Sequence, residues 1–77
     1  MKVAAIQMAS GPQVVANLSE AARHIGKAAA AGARLVVLPE NFAIMAQQDA
    51  DRLAVAERDG QGPIQEFLAA QARTHGV

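Results

Sequence analysis

The chain has 77 residues, and its seven lysine and arginine residues balance seven aspartate and glutamate residues. Domains usually contain about 100–150 residues, so this length allows one small domain or part of one. The zero net charge and scattered basic residues predict no nucleic-acid partner, and no apolar run reaches the roughly 18 residues of a membrane span. Cysteine is absent, which excludes a disulfide and a cysteine nucleophile from these residues. We expect a cytoplasmic protein.

The first half of the chain has the pattern of a strand, a helix and a second strand. Residues 3–9 are largely apolar, which predicts a short strand. Apolar residues three and four apart predict a helix over residues 13–31, which Gly32 would end. Residues 34–38 predict a buried strand, and Pro39 marks its end. This order is a βαβ unit, so we expect parallel strands and a right-handed crossover.

The start of the first helix has two candidate positions. Pro12 favours an early start, because proline suits the first turn of a helix. Asn17, with Glu20 three residues further on, is typical of a capping box and would place the start later. The sequence alone leaves both positions open.

The second half of the chain predicts one further helix. Residues 43–62 have no clear periodicity and predict a loop or a short helix. A helix is predicted over residues 63–75, because proline suits its first position and Gly76 follows its end. The fold class is therefore α/β, with the order β-α-β-(loop)-α.

One acidic residue stands out by its position. Glu40 comes directly after the second strand and Pro39. Open α/β sheets bind ligands at the carboxyl ends of their strands, so Glu40 is a candidate general base. From spacing alone, the better interpretation is a residue that marks where the strand reaches solvent. Ser10 follows the first strand and should lie near the same edge, where we interpret it as a turn residue because no histidine accompanies it.

The remaining polar residues predict no metal or cofactor site. His24 and His75 lie on predicted helices without a partner at ligand spacing. Residues 60–62 before the last helix are typical of a tight turn rather than a phosphate site. Phe42 and Met45 could line a pocket beside Glu40 or belong to the core. The acidic residues of the loop lack the calcium-loop spacing and are interpreted as a solvated stretch: Asp49, Asp51, Glu57 and Asp59.

Three segments together resemble the opening of the nitrilase, or carbon–nitrogen hydrolase, superfamily. They are VAAIQMA at 3–9, GARLVVLPENF at 32–42 and GQGPIQEFLAAQARTHGV at 60–77, the last being similar to the Nit-type amidase branch. The resemblance covers essentially the whole chain, and LVVLPENF is its most specific part. It implies that residues 1–77 are the N-terminal part of a single α-β-β-α sandwich domain that is truncated at its C-terminus.

The resemblance also implies an activity. Members of the family cleave non-peptide C–N bonds of small amides or nitriles, and the glutamate of the Pro-Glu pair is the general base of their Glu-Lys-Cys triad. That role carries over to Glu40 alone. Lys2 and Lys27 do not fit the triad lysine, because one precedes the first strand and the other lies in the crossover helix. With no cysteine present, we expect the 77 residues alone to be inactive.

The family implies a homo-oligomer when the protein is complete and a small-molecule substrate. We expect no cofactor and no membrane partner. The sequence does not separate amidase, nitrilase and carbamoylase. The alternative function is a non-catalytic α/β binding or interaction module that is complete as it stands.

Overall fold

The computed structural model describes residues 1–44, 55–57 and 61–77. In chain order the described elements are β1 (Val3–Ala5), α1 (Val14–Ala30), β2 (Leu35–Val37) and α2 (Pro63–His75). The two strands pair in parallel. The predicted α/β class, with a β-α-β-(loop)-α order, is therefore confirmed. Several predicted candidates lie outside the described residues: Met45, Asp49, Asp51, Asp59 and Gly60.

The two strands are shorter than the predicted ranges of 3–9 and 34–38. Each contributes three residues to the ladder, with Val3 opposite Leu35. One more hydrogen bond, from the Ile6 N–H to the Val37 carbonyl at 2.9 Å, continues the pairing beyond β1. Pro39 has no N–H for the next rung of the ladder, so the strands separate there.

The helix α1 begins at Val14, one residue after the predicted start, with Gln13 as its N-cap. The alternative start at Asn17 is wrong, because the Asn17 N–H already donates to the Gln13 carbonyl at 3.1 Å as part of the first turn. The Asn17 side chain is therefore not an N-cap, and its partners lie elsewhere.

The end of α1 has the predicted glycine. Gly32 adopts a φ of 96°, in the left-handed region that favours glycine. The Gly32 N–H donates to the Ala29 carbonyl and the Ala33 N–H to the Ala28 carbonyl, each at 3.0 Å. This pair of bonds is the Schellman arrangement, which closes the helix and turns the chain directly into β2.

Both helices lie on the same side of the sheet. Ile25 of α1, Val36 of β2 and Leu68 of α2 line one shallow apolar groove. Among the described residues the buried apolar ones are few: Ala21, Ile25, Ala33 and Ala43. No helix in the described part of the chain is long and apolar enough to cross a membrane.

The other side of the sheet is uncovered by the described residues. Val3 is 53% exposed, Leu35 48% and Val37 50%, whereas Ala4 and Val36 between them are half-buried. The absence of a polar face in the second strand led us to expect burial on both sides. Within the described residues that burial is present on one side only.

Candidate active site

The carboxyl ends of β1 and β2 lie at the same edge of the sheet, because the strands are parallel and in register. The chain after β2 forms a tight turn there, in which the Phe42 N–H donates to the Pro39 carbonyl at 3.2 Å. Glu40 lies inside this turn, and its side chain is exposed. The position predicted for Glu40, at the edge where α/β sheets bind ligands, is therefore the one the structure shows.

Two side chains from the loop after β1 and the start of α1 hold this turn. The Ser10 hydroxyl donates to the Phe42 carbonyl at 2.8 Å. The Asn17 carboxamide donates through Nδ2 to the Ala43 carbonyl, also at 2.8 Å. Ser10 thus lies at Glu40's edge of the sheet, as predicted, and its hydroxyl holds the neighbouring loop rather than its own turn.

Asn17 is the buried polar residue on which this arrangement centres. Its side chain is only 5% exposed. Besides its bond to Ala43, Nδ2 donates to the Gly11 carbonyl at 2.8 Å, and Oδ1 accepts from the Gly11 N–H at 3.0 Å. Both Nδ2 protons and one Oδ1 lone pair are therefore used, which is what a buried amide requires.

Sequence reasoning missed the role of Asn17, although a signal was present. Asn17, Ala21 and Ile25 are the buried residues of α1, and they follow one another at spacings of four. A polar residue on the apolar face of a helix is buried with it, and a buried amide needs partners. The helix periodicity could therefore have identified Asn17 as a residue that bonds something outside α1.

A second carboxylate, that of Glu57, lies at the start of α2. It accepts from the N–H groups of Ile64 at 2.6 Å and Gln65 at 3.0 Å, and from the Gln65 side-chain amide at 3.2 Å. Partial burial raises the pKa of the Glu57 carboxyl, but these hydrogen bonds lower it by more, so that it lies below its usual value. The interpretation of Glu57 as part of a solvated acidic stretch did not include this cap, which the half-buried side chain forms.

Of the residues 60–62 predicted to form a tight turn, Gly60 lies outside the described residues, so that prediction stays open. Gly62 is the N-cap of the helix and has a φ of 121°. A helix start favours an anion, and here the chain's own Glu57 occupies it. These contacts give the start of α2 a structural role, separate from the edge that carries Glu40.

Neither lysine lies near Glu40. The Lys2 ammonium donates to the Ala31 carbonyl at 2.7 Å, beyond the amino end of β1 and so at the opposite edge of the sheet. Lys27 lies in the last turn of α1, and it is exposed. The prediction that neither lysine can act beside Glu40 agrees with these positions.

The two histidines lie on helices, as predicted. His24 Nε2 is 3.2 Å from a Glu20 carboxylate oxygen, and the same oxygen accepts from Arg23. The hydrogen bond from Arg23 lowers the pKa of Glu20, and burial opposes this effect only in part. His75 is exposed at the end of α2. Among the described residues there is no group of three or more side chains that could hold a metal ion.

The site thus consists of an exposed carboxylate on a turn that the Ser10 and Asn17 side chains hold in place. Such a carboxylate can accept a proton from a neighbouring group, which is the chemistry of a general base. The family model for carbon-nitrogen hydrolases matches residues 2–77. The match includes both strands, both helices and the turn that carries Glu40. The chain therefore belongs to the carbon-nitrogen hydrolase family.

Proposed function

We propose that this chain supplies the general base of an enzyme that hydrolyses non-peptide carbon–nitrogen bonds, and that Glu40 is this base. The family match supports the class of reaction. The observation that supports Glu40 is its place at the carboxyl edge of the parallel strands, on a turn closed by the bond between Phe42 and Pro39. Of the substrates open to the family we favour a small amide, because residues 60–77 resemble the Nit-type amidase branch.

The proposed reaction has two halves that share one base. In the first, the Glu40 carboxylate takes the proton of a cysteine thiol, and the thiolate attacks the amide carbon. The C–N bond then breaks, the amine leaves with a proton, and a thioester remains on the enzyme. In the second, the carboxylate takes a proton from water, which attacks the thioester and releases the acid and the thiol. A lysine stabilises the oxyanion formed in each half.

This chemistry needs residues that the 77-residue chain does not contain. There is no cysteine in it, and neither Lys2 nor Lys27 lies at the edge that carries Glu40. We therefore propose that the cysteine and the lysine come from residues outside this chain, and that these residues alone do not catalyse the reaction.

The decisive test is the substitution Glu40→Gln in the full-length protein, because the carboxamide keeps the shape of the side chain and removes its basicity. General-base catalysis contributes about 10²–10⁴-fold in rate, so acyl-enzyme formation should slow by a factor in that range. Mass spectrometry of the enzyme, quenched after mixing with an amide substrate, measures the thioester directly.

The matched control is Glu66→Gln, the same exchange at an exposed residue of α2. It should leave the rate of acylation unchanged. Normal acylation in the Glu40→Gln protein would overturn the assignment of the base.

A further inference from the structure

We infer that Asn17 and Ser10 are positioning residues that fix the Glu40 turn against the loop after β1; this inference rests on the proposed role of Glu40. Their four hydrogen bonds, two with Gly11 and one each to Phe42 and Ala43, are called the loop clamp below. Neither residue is proposed to touch the substrate. Each affects the reaction only by positioning Glu40.

The Glu40 carboxylate needs such support, because no hydrogen bond to it is present among the described residues. Its position depends on the backbone of the turn. On one side the turn is fixed by β2, which ends at Val37. On the other side it is fixed by the loop clamp, which holds the consecutive carbonyls of Phe42 and Ala43. Two adjacent points of attachment prevent the turn from pivoting about a single bond.

Because Asn17 is buried, water cannot take over the hydrogen bonds that its amide makes in the clamp. An amide that is 5% exposed and joins Gly11 to Ala43 cannot be replaced by water without opening the core beneath it. The same amide pairs with both the N–H and the carbonyl of Gly11, so the loop after β1 is fixed in turn to α1. The Glu40 turn, the first loop and the first helix are thus joined through one side chain.

The expected consequence is kinetic. A general base acts only from within hydrogen-bond reach of the proton that it takes. A displacement of about 1 Å can reduce a rate by about 10²-fold. Loss of the clamp should therefore lower kcat while leaving KM nearly unchanged, because the substrate is not contacted by either residue.

The test uses two substitutions in the full-length protein. Asn17→Leu keeps most of the volume of the side chain and removes its hydrogen bonds, and Ser10→Ala removes the hydroxyl. We expect kcat to fall by about 10–10²-fold in each, with acylation and hydrolysis of the thioester both slowed, because Glu40 is the base of both halves. Ser10→Thr, which keeps a hydroxyl, should recover most of the kcat that Ser10→Ala loses.

The stability control is Ile25→Val, which removes one methylene from the same buried face of α1 two turns further on. It should lower Tm and leave kcat unchanged. Equal loss of kcat in Ile25→Val at a matched loss of Tm would overturn the inference, because the effect would then be one of stability. If Asn17→Leu fails to fold, the comparison of Ser10→Ala with Ser10→Thr decides alone.

The two proposals fail in different variants. If Asn17→Leu and Ser10→Ala keep full kcat while Glu40→Gln is inactive, the positioning role of the loop clamp is refuted and Glu40 remains the proposed base. Full activity of the Glu40→Gln protein would refute both proposals.

Discussion

At the scale of single residues, the carboxylates of Glu40, after β2, and Glu57, before α2, differ in what they bond. Glu57 accepts from two backbone N–H groups and one side-chain amide at the start of α2. Glu40 is exposed, and its carboxylate accepts no hydrogen bond among the described residues. A carboxylate engaged in a helix cap has few lone pairs left for a reacting proton, whereas the Glu40 carboxylate keeps its own for that use.

The Glu57 cap gives a prediction for the dependence on pH. Its pKa is raised by burial and lowered further by its hydrogen bonds, so the folded value lies below the unfolded value of about 4.3. The ionised carboxylate therefore stabilises the start of α2 above that pH, and the stabilisation is lost as the pH falls through the folded pKa. We expect the Ile64 and Gln65 amides to be better protected from hydrogen exchange than in Glu57→Gln at pH 7.

The same difference in protection should disappear on acidification below the folded pKa. Glu66→Gln removes a charge from the same first turn but no hydrogen bond to either amide, so it should change their protection far less than Glu57→Gln does. A difference for Glu57→Gln that persists in acid would show that side-chain shape, and not charge, forms the cap.

At the scale of elements, two glycines beside or within helices differ in whether a side chain would fit at their position. Gly26 lies inside α1, and a Cβ there would lie 3.9 Å from His75 Cε1, which is an ordinary contact. Gly62 precedes α2 with a φ of 121°, and a Cβ there would clash with the side chain of Glu57. The first position therefore accepts a side chain, and the second does not.

The matched substitutions Gly26→Ala and Gly62→Ala should change stability in opposite directions. We expect Gly26→Ala to raise the free energy of unfolding by about 0.5–1 kcal/mol, because alanine loses less backbone entropy in a helix. Gly62→Ala should lower it, because it strains the backbone and displaces the Glu57 carboxylate. Urea unfolding of the full-length protein measures both, and a change of the same sign in the two variants would contradict the assignment.

The elements show which features a sequence can predict and which it cannot. The helix limits were predicted to within one residue, because periodicity and end residues are local. The strands were predicted too long, since a strand ends where its partner's hydrogen bonds end, and here Pro39 sets that point. The position of Glu40 follows from the strand just before it, and so it could be predicted.

The partners of Asn17 could not be predicted in the same way. Its amide bonds Gly11, six residues earlier, and Ala43, 26 residues later. A capping box, which its neighbours in the sequence favoured, uses only residues of the same turn. The position of Glu40 after the second strand marks it as the candidate base, but the residues that hold its turn are identified only once the structure brings the two loops together.

At the scale of the whole molecule, the most prominent feature is the uncovered face of the sheet. Val3, Leu35 and Val37 are about half exposed on this face, while both helices cover the other. Parallel sheets in proteins are usually covered on both faces. The α-β-β-α sandwich implied by the family resemblance would place a second sheet against this one, which stays a prediction. A self-contained binding module would instead leave the face in water.

Solution behaviour of the 77-residue chain separates these two arrangements. We expect it to self-associate, because the exposed apolar side chains and the strand edges have no cover. Val37→Lys should shift the chain toward monomer in sedimentation velocity, since it places a charge on the exposed apolar face. Val15→Lys is the matched control, because Val15 is 80% exposed on α1 and far less of its surface changes environment on association.

The same two variants test the layered arrangement in the full-length protein, where the measured quantity is Tm. There, Val37→Lys should lower Tm strongly, because the lysine would be buried between layers without a partner, whereas Val15→Lys should leave Tm nearly unchanged. A monomeric 77-residue chain with a sharp unfolding transition, indifferent to Val37→Lys, would contradict the layered arrangement and favour the self-contained module. The loop clamp and Glu40 would then lie at the edge of a complete domain, and the proposed sharing of the site with residues outside the chain would lose its structural support.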